Sequence, residues 1–266
     1  MNRIDERFAK VKADGRKALI TFLTVGDPNM EVSEKAIYTM QEEGVDLIEL
    51  GVPFSDPAAD GPVIQRADER ALAQGVDIFK VFELVRKIRN NVEVPMVFLL
   101  YYNVMVQYGI EKFFKRCQET GVDGLIIPDL PYEESDEIKE YTEKYGVYQI
   151  SLVSPTSKDR IKNIAKDAKG FLYCISSLGV TGEKSSFVTN FDEFVGTIKK
   201  YTDVPACVGF GVSNGRQVKE LTKYFDGAIV GSAIVKSIAT GESVEERINN
   251  LRASRDCDKC PEEGVV

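Results

Sequence analysis

Short apolar runs alternate along the chain with longer segments in which apolar and charged residues mix at helical spacing. This alternation is typical of βα units that build a parallel sheet. The candidate strands are Ala18–Gly26, Leu47–Pro53, Pro95–Tyr102, Gly124–Leu130, Tyr148–Pro155, Phe171–Leu178, Pro205–Val212 and Gly227–Gly231. About eight strands close a (β/α)8 barrel, the TIM barrel. A doubly wound sheet is the alternative, although it usually contains fewer strands at this length.

The segments between the strands predict helices, because apolar residues recur in them with the helical period. They are Glu31–Glu43, Ile78–Arg89, Ile110–Gln118, Glu133–Lys144, Lys158–Lys166, Asn190–Lys200, Asn214–Lys223 and Glu242–Leu251. An extra helix at Ile4–Val11 precedes the first strand and is expected to close the barrel bottom. No linker interrupts the pattern, so we expect one domain over residues 1–252 and a polar, disordered tail over residues 253–266.

Two loops that follow strands are longer than the ~2 to 6 residues usual at that place. They run over Pro53–Gln65 after the second strand and over Gly179–Asn190 after the sixth. Both follow the carboxyl ends of strands, where barrel enzymes carry their active sites. Long loops that contain glycine are candidate lids there.

The chain contains no histidine, and this restricts its chemistry more than any other feature of composition. The absence removes Ser–His and Cys–His nucleophile–base pairs and the commonest metal ligand, so no metal is expected. Acid–base chemistry near neutral pH must then use carboxyls, Lys, Tyr or Cys. The net charge of -8 disfavours binding to nucleic acid or to an anionic membrane.

Localisation is predicted from the same composition. No apolar signal core or spanning run of roughly 18 residues occurs. These features indicate a cytoplasmic protein with reduced thiols. Cys257 and Cys260 have the spacing of half a metal or redox site, but they lie in the polar tail without a second pair, so neither a structural nor a redox role is predicted for them.

Carboxyls are concentrated around the second strand. Glu49 lies inside an apolar strand, and a buried carboxyl needs either a function or a satisfying partner such as a backbone donor or Tyr. Asp56 and Asp60 lie in the loop that follows, and both also have the sequence context of turn residues. The pattern alone therefore nominates Glu49 and does not rank Asp56 against Asp60.

Glycine clusters end the last three strands, as Gly179–Gly182, Gly209–Gly211 and Gly231–Ser232. They match the phosphate site that barrels build from their last loops and a short extra helix, where backbone N–H groups face the anion. Each cluster taken alone also fits a tight turn. Four aromatic residues lie near strand ends and either line a ligand pocket or belong to the core, namely Phe22, Tyr102, Tyr173 and Phe210.

Taken together, these motifs resemble those of the tryptophan synthase alpha subunit family, in order from about Arg3 to Leu251. The strongest is LIELGVPFSDPAADG at Leu47–Gly61. The others are LTVGDP (Leu23–Pro28), YYN (Tyr101–Asn103), PDLPYEE (Pro128–Glu134), GVTG (Gly179–Gly182), GFGV (Gly209–Val212) and GSAIVK (Gly231–Lys236). The resemblance implies an aldol-type carbon–carbon lyase of tryptophan biosynthesis, which cleaves indole-3-glycerol phosphate to indole and glyceraldehyde 3-phosphate.

The resemblance also implies roles for individual residues. Glu49 would protonate indole C3 and take the proton of the glycerol hydroxyl, and Asp60 would accept a hydrogen bond from the indole N–H. The phosphate would be held at Gly182, Gly211, Gly231 and Ser232. The substrate pocket would be lined by Phe22, Leu100, Tyr102, Tyr173, Thr181 and Phe210. No Lys lies in a candidate strand to form a Schiff base, but the indole ring can accept the electrons itself once C3 is protonated.

Members of this family work with a beta subunit that contains pyridoxal phosphate, so the resemblance implies an alpha2beta2 complex. The chain itself would need no cofactor, and indole would pass to the beta site. Pro53 and Asp56 would lie at the subunit interface. The chain departs from the family at Ala58, Val104 and Ser177–Leu178, positions that concern the loops and subunit communication.

Three other functions remain open. Another phosphate-binding barrel of the tryptophan or histidine pathways would share the glycine clusters, but not the segment from Glu49 to Asp60. A non-catalytic subunit that only activates its partner is disfavoured, because both carboxyls are present. A lyase that works alone and releases free indole is the third.

Overall fold

The strands form one parallel sheet in the computed structural model, which describes residues 2–175, 191–209 and 211–256. They are β1 (Ala18–Thr24), β2 (Leu47–Gly51), β3 (Met96–Leu99), β4 (Gly124–Ile126), β5 (Tyr148–Gln149), β6 (Leu152–Val153), β7 (Leu172–Ile175), β8 (Ala206–Gly209) and β9 (Gly227–Val230). Their order in the sheet is β5-β4-β3-β2-β1-β9-β8-β7-β6. The first and last strands of this order are consecutive along the chain, so the sheet closes on itself.

The closure lies in the fifth predicted strand, which is divided between its two neighbours. The N–H of Ile150 donates to Leu125 O of β4 at 2.8 Å, whereas the N–H of Tyr173 in β7 donates to Ser151 O at 3.0 Å. Strand β5 therefore belongs to the β4 side and β6 to the β7 side. The predicted (β/α)8 barrel is confirmed, with its fifth strand divided between β5 and β6.

Helices cover the outside of the barrel. They are α1 (Arg3–Ala13), α2 (Met30–Glu42), α3 (Pro62–Ala73), α4 (Ile78–Ile88), α5 (Tyr102–Tyr108), α6 (Ile110–Thr120), α7 (Asp136–Tyr145), α8 (Ile161–Asp167), α9 (Phe191–Lys199), α10 (Gly215–Leu221), α11 (Ser232–Thr240) and α12 (Val244–Asp256). Two 3-10 turns, Tyr132–Glu134 and Pro155–Arg160, precede α7 and α8. Within the described residues, no helix is long and apolar enough to cross a membrane.

Two of these helices correct the sequence prediction. Helix α3 begins at Pro62, because proline suits the first helical position, so the loop after β2 ends at Gly61 and not at Gln65. Helix α5 begins at Tyr102, so the third strand ends before it. At the other end of the chain, α12 continues past Arg252. Cys257 and Cys260 lie outside the described residues.

Side chains alternate between two cores along each strand, as the period of two requires. One core fills the barrel and contains Ile20, Leu47 and Val97, while the other lies between barrel and helices. Helix α1 contributes Ile4 and Phe8 to the barrel core, which confirms that it closes the bottom. At this end, three buried or partly buried aspartates accept the N–H of a neighbouring strand: Asp46 from Leu19, Asp123 from Met96 and Asp226 from Ala206.

Candidate active site

Glu49 lies inside the barrel, near the carboxyl end of β2. It is in register with Phe22 of β1 and Val97 of β3, and only 1% of its surface is exposed. Its Oε1 has no hydrogen-bond partner among the described residues. Because burial penalises the charged form, the pKa of Glu49 is raised to about 8. A pKa of about 8 favours the protonated form of this carboxyl at neutral pH.

Asp60 reaches the same mouth from the loop Pro53–Gly61. The hydroxyl of Tyr101 donates to Asp60 Oδ2 at 2.8 Å, and the N–H of Ala59 donates to that hydroxyl at 2.9 Å. The Tyr101 ring stacks on Phe54, with centroids 4.9 Å apart. Burial raises the pKa of Asp60, and the Tyr101 hydroxyl opposes the shift. Tyr101 thus fixes one carboxylate oxygen, while Oδ1 receives no hydrogen bond from described residues.

The structure separates Asp60 from Asp56, which the sequence left unranked. Asp56 is exposed at the tip of the loop, where its carboxyl accepts a hydrogen bond from the Ser55 hydroxyl. Asp60 is turned towards the barrel and held there by Tyr101. Of the two acids in this loop, Asp60 is the one held at the barrel mouth, by Tyr101.

The pocket residues predicted on the third strand are one residue out of register. Leu100 is buried in the core between barrel and helices, whereas Leu99 packs with Phe22 at the mouth. The hydroxyl of Tyr102 donates to Glu137 Oε2 on α7 at 2.6 Å, and that of Tyr101 reaches Asp60. Since alternate residues face inward, the inward positions here are Val97 and Leu99, and the mouth is lined by Leu99 and Tyr101.

The rings of Phe22 and Tyr173, both predicted near the mouth, each pack closely against a glycine. A Cβ on Gly51 would lie 2.5 Å from Cζ of Phe22, and a Cβ on Gly209 would lie 2.6 Å from the hydroxyl oxygen of Tyr173. Both rings are buried. The charge of Glu49 contributes, after burial, to raising the pKa of Tyr173, so the two groups are electrostatic neighbours.

Helix α3 adds apolar residues that the sequence analysis missed. Val63 and Ile64 pack against Phe22 and Leu99, together with Val235 from α11. A detectable signal was the proline that starts α3 in front of apolar residues. Reading Pro53–Gln65 as one loop concealed these residues.

The end of β9 supplies donors suited to an anion. Gly231 is the N-cap of α11, and no side chain caps the helix there. Ser232 is exposed at the first position of the helix, and Gly211 has a positive φ of 77°. These three predicted phosphate-binding positions thus lie at strand or helix ends on one side of the barrel. The other predicted positions, Thr181, Gly182 and Phe210, and the lid Gly179–Asn190 lie outside the described residues.

A cavity of about 650 Å³ lies elsewhere, beside β5 and β6 and between α7 and α8. Neither Glu49 nor Asp60 lines it. The buried carboxyl without a partner locates the site better than cavity size, because an unsatisfied buried polar group is itself costly. A buried carboxyl near the carboxyl end of β2, on the face where barrel enzymes carry their active sites, is typical of the class of (β/α)8-barrel enzymes.

Known proteins agree on one family. The family profile described as tryptophan synthase alpha chain matches residues 8–260. The tryptophan synthase alpha chain of Thermoanaerobacter sp. (strain X514) is 48% identical over 253 residues, covering 95% of this chain and 97% of the relative. That of Methanocaldococcus jannaschii is 47% identical over 238 residues, covering 89% and 84%. The crystal structure of tryptophan synthase subunit alpha from Legionella pneumophila str. Paris has a TM-score of 0.85 at 34% identity, covering 96% of this chain and 99% of that one.

The chain belongs to the tryptophan synthase alpha chain family. It is therefore a lyase that cleaves indole-3-glycerol phosphate, as the motifs around Glu49 predicted.

Proposed function

We propose that Glu49 is the general acid of this cleavage and Asp60 the group that binds the indole N–H. The observation that supports this most is the Glu49 carboxyl, which is buried in the mouth, lacks a partner on Oε1 among the described residues and has a pKa of about 8. A carboxyl that is protonated at neutral pH can give its proton to carbon C3 of the indole ring. Positioned acids of this kind contribute roughly 10² to 10⁴-fold.

The proton is returned in the second half of the reaction. Protonation of C3 turns the ring into an indoleninium cation. The Glu49 carboxylate then removes the proton of the hydroxyl on the carbon attached to C3. That carbon becomes the aldehyde of glyceraldehyde 3-phosphate, the carbon–carbon bond breaks, and its electron pair restores the indole. Glu49 ends protonated, so no external acid or base is consumed.

Asp60 stabilises the charge that the ring acquires. Tyr101 holds Oδ2, so Oδ1 is available for the indole N–H, whose acidity rises when C3 is protonated. We expect the ring to lie among Phe22, Leu99 and Tyr173, which replaces the earlier expectation of Leu100 and Tyr102. Thr181 and Phe210 remain part of the proposed pocket.

The phosphate is proposed to lie at the uncapped N-terminus of α11. Backbone N–H groups there, next to Gly231 and Ser232, combine with the helix dipole to favour an anion. Gly211 and Gly182 would complete the site. Substrate is then oriented by its two ends, with the phosphate at α11 and the indole at Asp60.

The proposed partner is a tryptophan synthase beta subunit, which would form an alpha2beta2 complex and carry the pyridoxal phosphate. The chain itself is proposed to need no cofactor, because carboxyls and the indole ring suffice. A surface groove of about 270 Å³ lined by Phe54, Asp56 and Leu72, among others, lies beside the catalytic loop and supports a contact there. The buried free thiols Cys117 and Cys174 suit the proposed cytoplasmic location.

Glu49→Gln is expected to abolish indole formation from indole-3-glycerol phosphate while substrate binding persists, because the amide cannot give up a proton. In the wild type, kcat is expected to fall above about pH 8, as Glu49 ionises.

The same raised pKa affects stability. Between about pH 4.5 and 8 the Glu49 carboxyl is ionised in the unfolded state but not in the folded state, so the native protein loses stability as the pH rises through this range. The variant should therefore melt higher at pH 8, so its inactivity cannot reflect unfolding.

The assay measures indole release with and without an added beta subunit. Substantial turnover by the Glu49→Gln variant would contradict the role of Glu49. A wild-type rate that does not rise with the beta subunit would contradict the partner and favour a lyase that works alone.

A further inference from the structure

An ion pair with two hydrogen bonds joins helix α3 to the turn after β1. Arg70 of α3 donates from Nε to Asp27 Oδ1 at 2.7 Å and from Nη2 to Asp27 Oδ2 at 2.8 Å. Asp27 is only 2% exposed, and a buried carboxylate is costly without such a partner. Because the guanidinium is a planar fork, the pair fixes the direction of approach as well as the distance.

The turn that carries Asp27 is itself held by its neighbours. The N–H of Gly26 donates to the hydroxyl of Ser33 on α2 at 2.9 Å. Val76, which follows α3, packs so closely on this turn that a Cβ on Gly26 would lie 2.4 Å from Cγ2 of Val76. Gly26 also has a positive φ of 89°, which glycine adopts without strain. The turn therefore offers α3 a fixed point of attachment.

The first turn of α3 is joined to the loop that carries Asp60. The helix begins at Pro62, directly after this loop. Nε2 of Gln65 donates to the main-chain oxygen of Asp60 at 2.9 Å, and the N–H of Gln65 donates to Gly61 O at 3.0 Å. The main chain of Asp60 is thus bound to α3, whereas its carboxyl is bound by Tyr101.

The remaining contacts of α3 leave its position along its own axis to the ion pair. The helix packs against β1 and α11, and its Ala67 forms one apolar cluster with Phe22 and Val235. Such apolar contacts hold the helix on the barrel, but they are non-directional. Arg70 lies five residues after Gln65, about 7.5 Å along the helix axis, so fixing Arg70 also fixes the first turn.

We propose that Asp27 and Arg70 are positioning residues, whose ion pair sets the place of α3 and through it the place of Asp60 at the barrel mouth. They act through the helix and not on the substrate. The geometry of the pair matters more than its charge, because a lysine ammonium offers no planar fork. The inference rests on the proposed role of Asp60 for its catalytic consequence only, since the placement of the loop is measured without substrate.

The kinetic test uses Arg70→Lys, which keeps a positive charge beside Asp27 but loses the fork. We expect kcat for indole-3-glycerol phosphate to fall roughly tenfold or more, because a misplacement of about 1 Å caused far from the chemistry costs on the order of 10²-fold. KM should change by less than about threefold, because the lost interaction belongs to the transition state. The matched control is Arg86→Lys, the same substitution in an exposed ion pair with Glu83 on α4, which should keep wild-type kinetics.

A second variant separates positioning from stability. Loss of the arginine alone would leave the Asp27 carboxylate buried without a cation, which destabilises a fold strongly. Asp27→Asn combined with Arg70→Met removes both charges, and the replacement of a buried ion pair by neutral groups is often harmless to stability. We expect this double variant to melt close to the wild type and to lose kcat as Arg70→Lys does.

Amide hydrogen exchange reports on the loop in the absence of substrate. The N–H of Ala59 donates to the hydroxyl of Tyr101 at 2.9 Å, and the N–H of Asp60 donates to a main-chain oxygen within the loop. These amides are expected to exchange roughly tenfold faster in Arg70→Lys and in the double variant, because the loop opens locally more often. The amides of β1 should keep their wild-type rates, and the control variant should match the wild type in both segments.

Unchanged exchange of the loop amides in Arg70→Lys would overturn the inference, whatever the rate of indole formation. Faster exchange throughout the chain, together with a lower melting temperature, would overturn it as well, because the pair would then act on stability alone. If the loop amides exchange faster as expected but kcat stays at the wild-type value, the proposed role of Asp60 fails and the positioning of the loop stands.

Discussion

Glu49 shows how a single residue acquires its chemistry from burial. No cation and no second carboxyl sets its pKa; the apolar barrel interior alone raises it to about 8. In a chain without histidine, a carboxyl with this pKa suits the proposed role of a proton donor at neutral pH. Asp60 differs, because Tyr101 donates to it and opposes the effect of burial. Burial raises the pKa of both acids, but only that of Asp60 is opposed by a hydrogen-bond donor.

Tyr101→Phe tests this arrangement at the residue scale. Loss of the hydroxyl removes the donor to Asp60 Oδ2, so the pKa of Asp60 should rise further. We expect kcat/KM to fall about tenfold at pH 7 and its acid limb to move to higher pH. The matched control is Tyr102→Phe, whose hydroxyl binds Glu137 on the outside of the barrel. Steady-state kinetics across pH separate the two, and an equal loss in both variants would contradict the assignment of Tyr101.

Side chains along each strand point alternately into the barrel and out of it. The residue at which a strand ends therefore determines which side chains face the mouth. Inward positions at the end of β2 are occupied by Glu49 and then by Gly51. The glycine leaves room for the Phe22 ring, which packs in one cluster with Leu99 of β3. Within three consecutive positions, strand β2 thus supplies the carboxyl of Glu49 and, at Gly51, the space that the Phe22 ring occupies.

Gly51→Ala is expected to push the Phe22 ring out of place, because the new methyl would lie 2.5 Å from Cζ. KM should rise at least about tenfold, while the fold is kept because the phenyl ring can turn away. Gly196→Ala is the control, since a methyl there meets no atom within 4 Å and the residue lies in helix α9. Kinetics combined with thermal melting check the pair. Wild-type KM in the Gly51→Ala protein would show that Phe22 does not line the pocket.

The apolar pattern predicted most of the strands and helices, but it predicted their first and last residues less well. The candidate strand Pro95–Tyr102 overshoots β3, because the apolar run continues beyond Leu99 although helix α5 already begins at Tyr102. This hid the start of α5 and placed Tyr102 at the mouth in place of Tyr101. Periodicity reports which residues are buried, but a one-residue shift at a strand end exchanges the inward and outward faces.

Contacts at the bottom of the barrel, the end opposite Glu49, contribute to the stability of the whole molecule. Helix α1 inserts Ile4 and Phe8 into the barrel core, and the Asn2 amide donates to Asp123 O at 2.9 Å. Arg3 also pairs with the Asp123 carboxylate, which accepts the N–H of Met96. The catalytic face is left free for loops, because stability is supplied at the opposite end.

Phe8→Ala should lower the free energy of unfolding by about 3 kcal/mol or more, since it leaves a cavity in the barrel core. The pH profile of kcat should not change, because Glu49 lies at the other end of the barrel. Lys10→Ala, on the exposed face of the same helix, should have little effect. Denaturant unfolding of both variants measures the difference, and equal stability would show that α1 does not close the core.

The sequence by itself predicted the barrel and its closing helix from the period of the apolar residues, and the family from the resemblance of its motifs. Because the chain has no histidine, it also nominated Glu49, a carboxyl inside an apolar strand. Tertiary structure decided the rest. It distinguished Asp60, which Tyr101 holds at the barrel mouth, from the exposed Asp56, and it placed Leu99 and Tyr101, and not Leu100 and Tyr102, at that mouth. These are contacts between residues distant along the chain, and only the closed barrel sets the burial and the neighbouring charges that give each carboxyl its pKa.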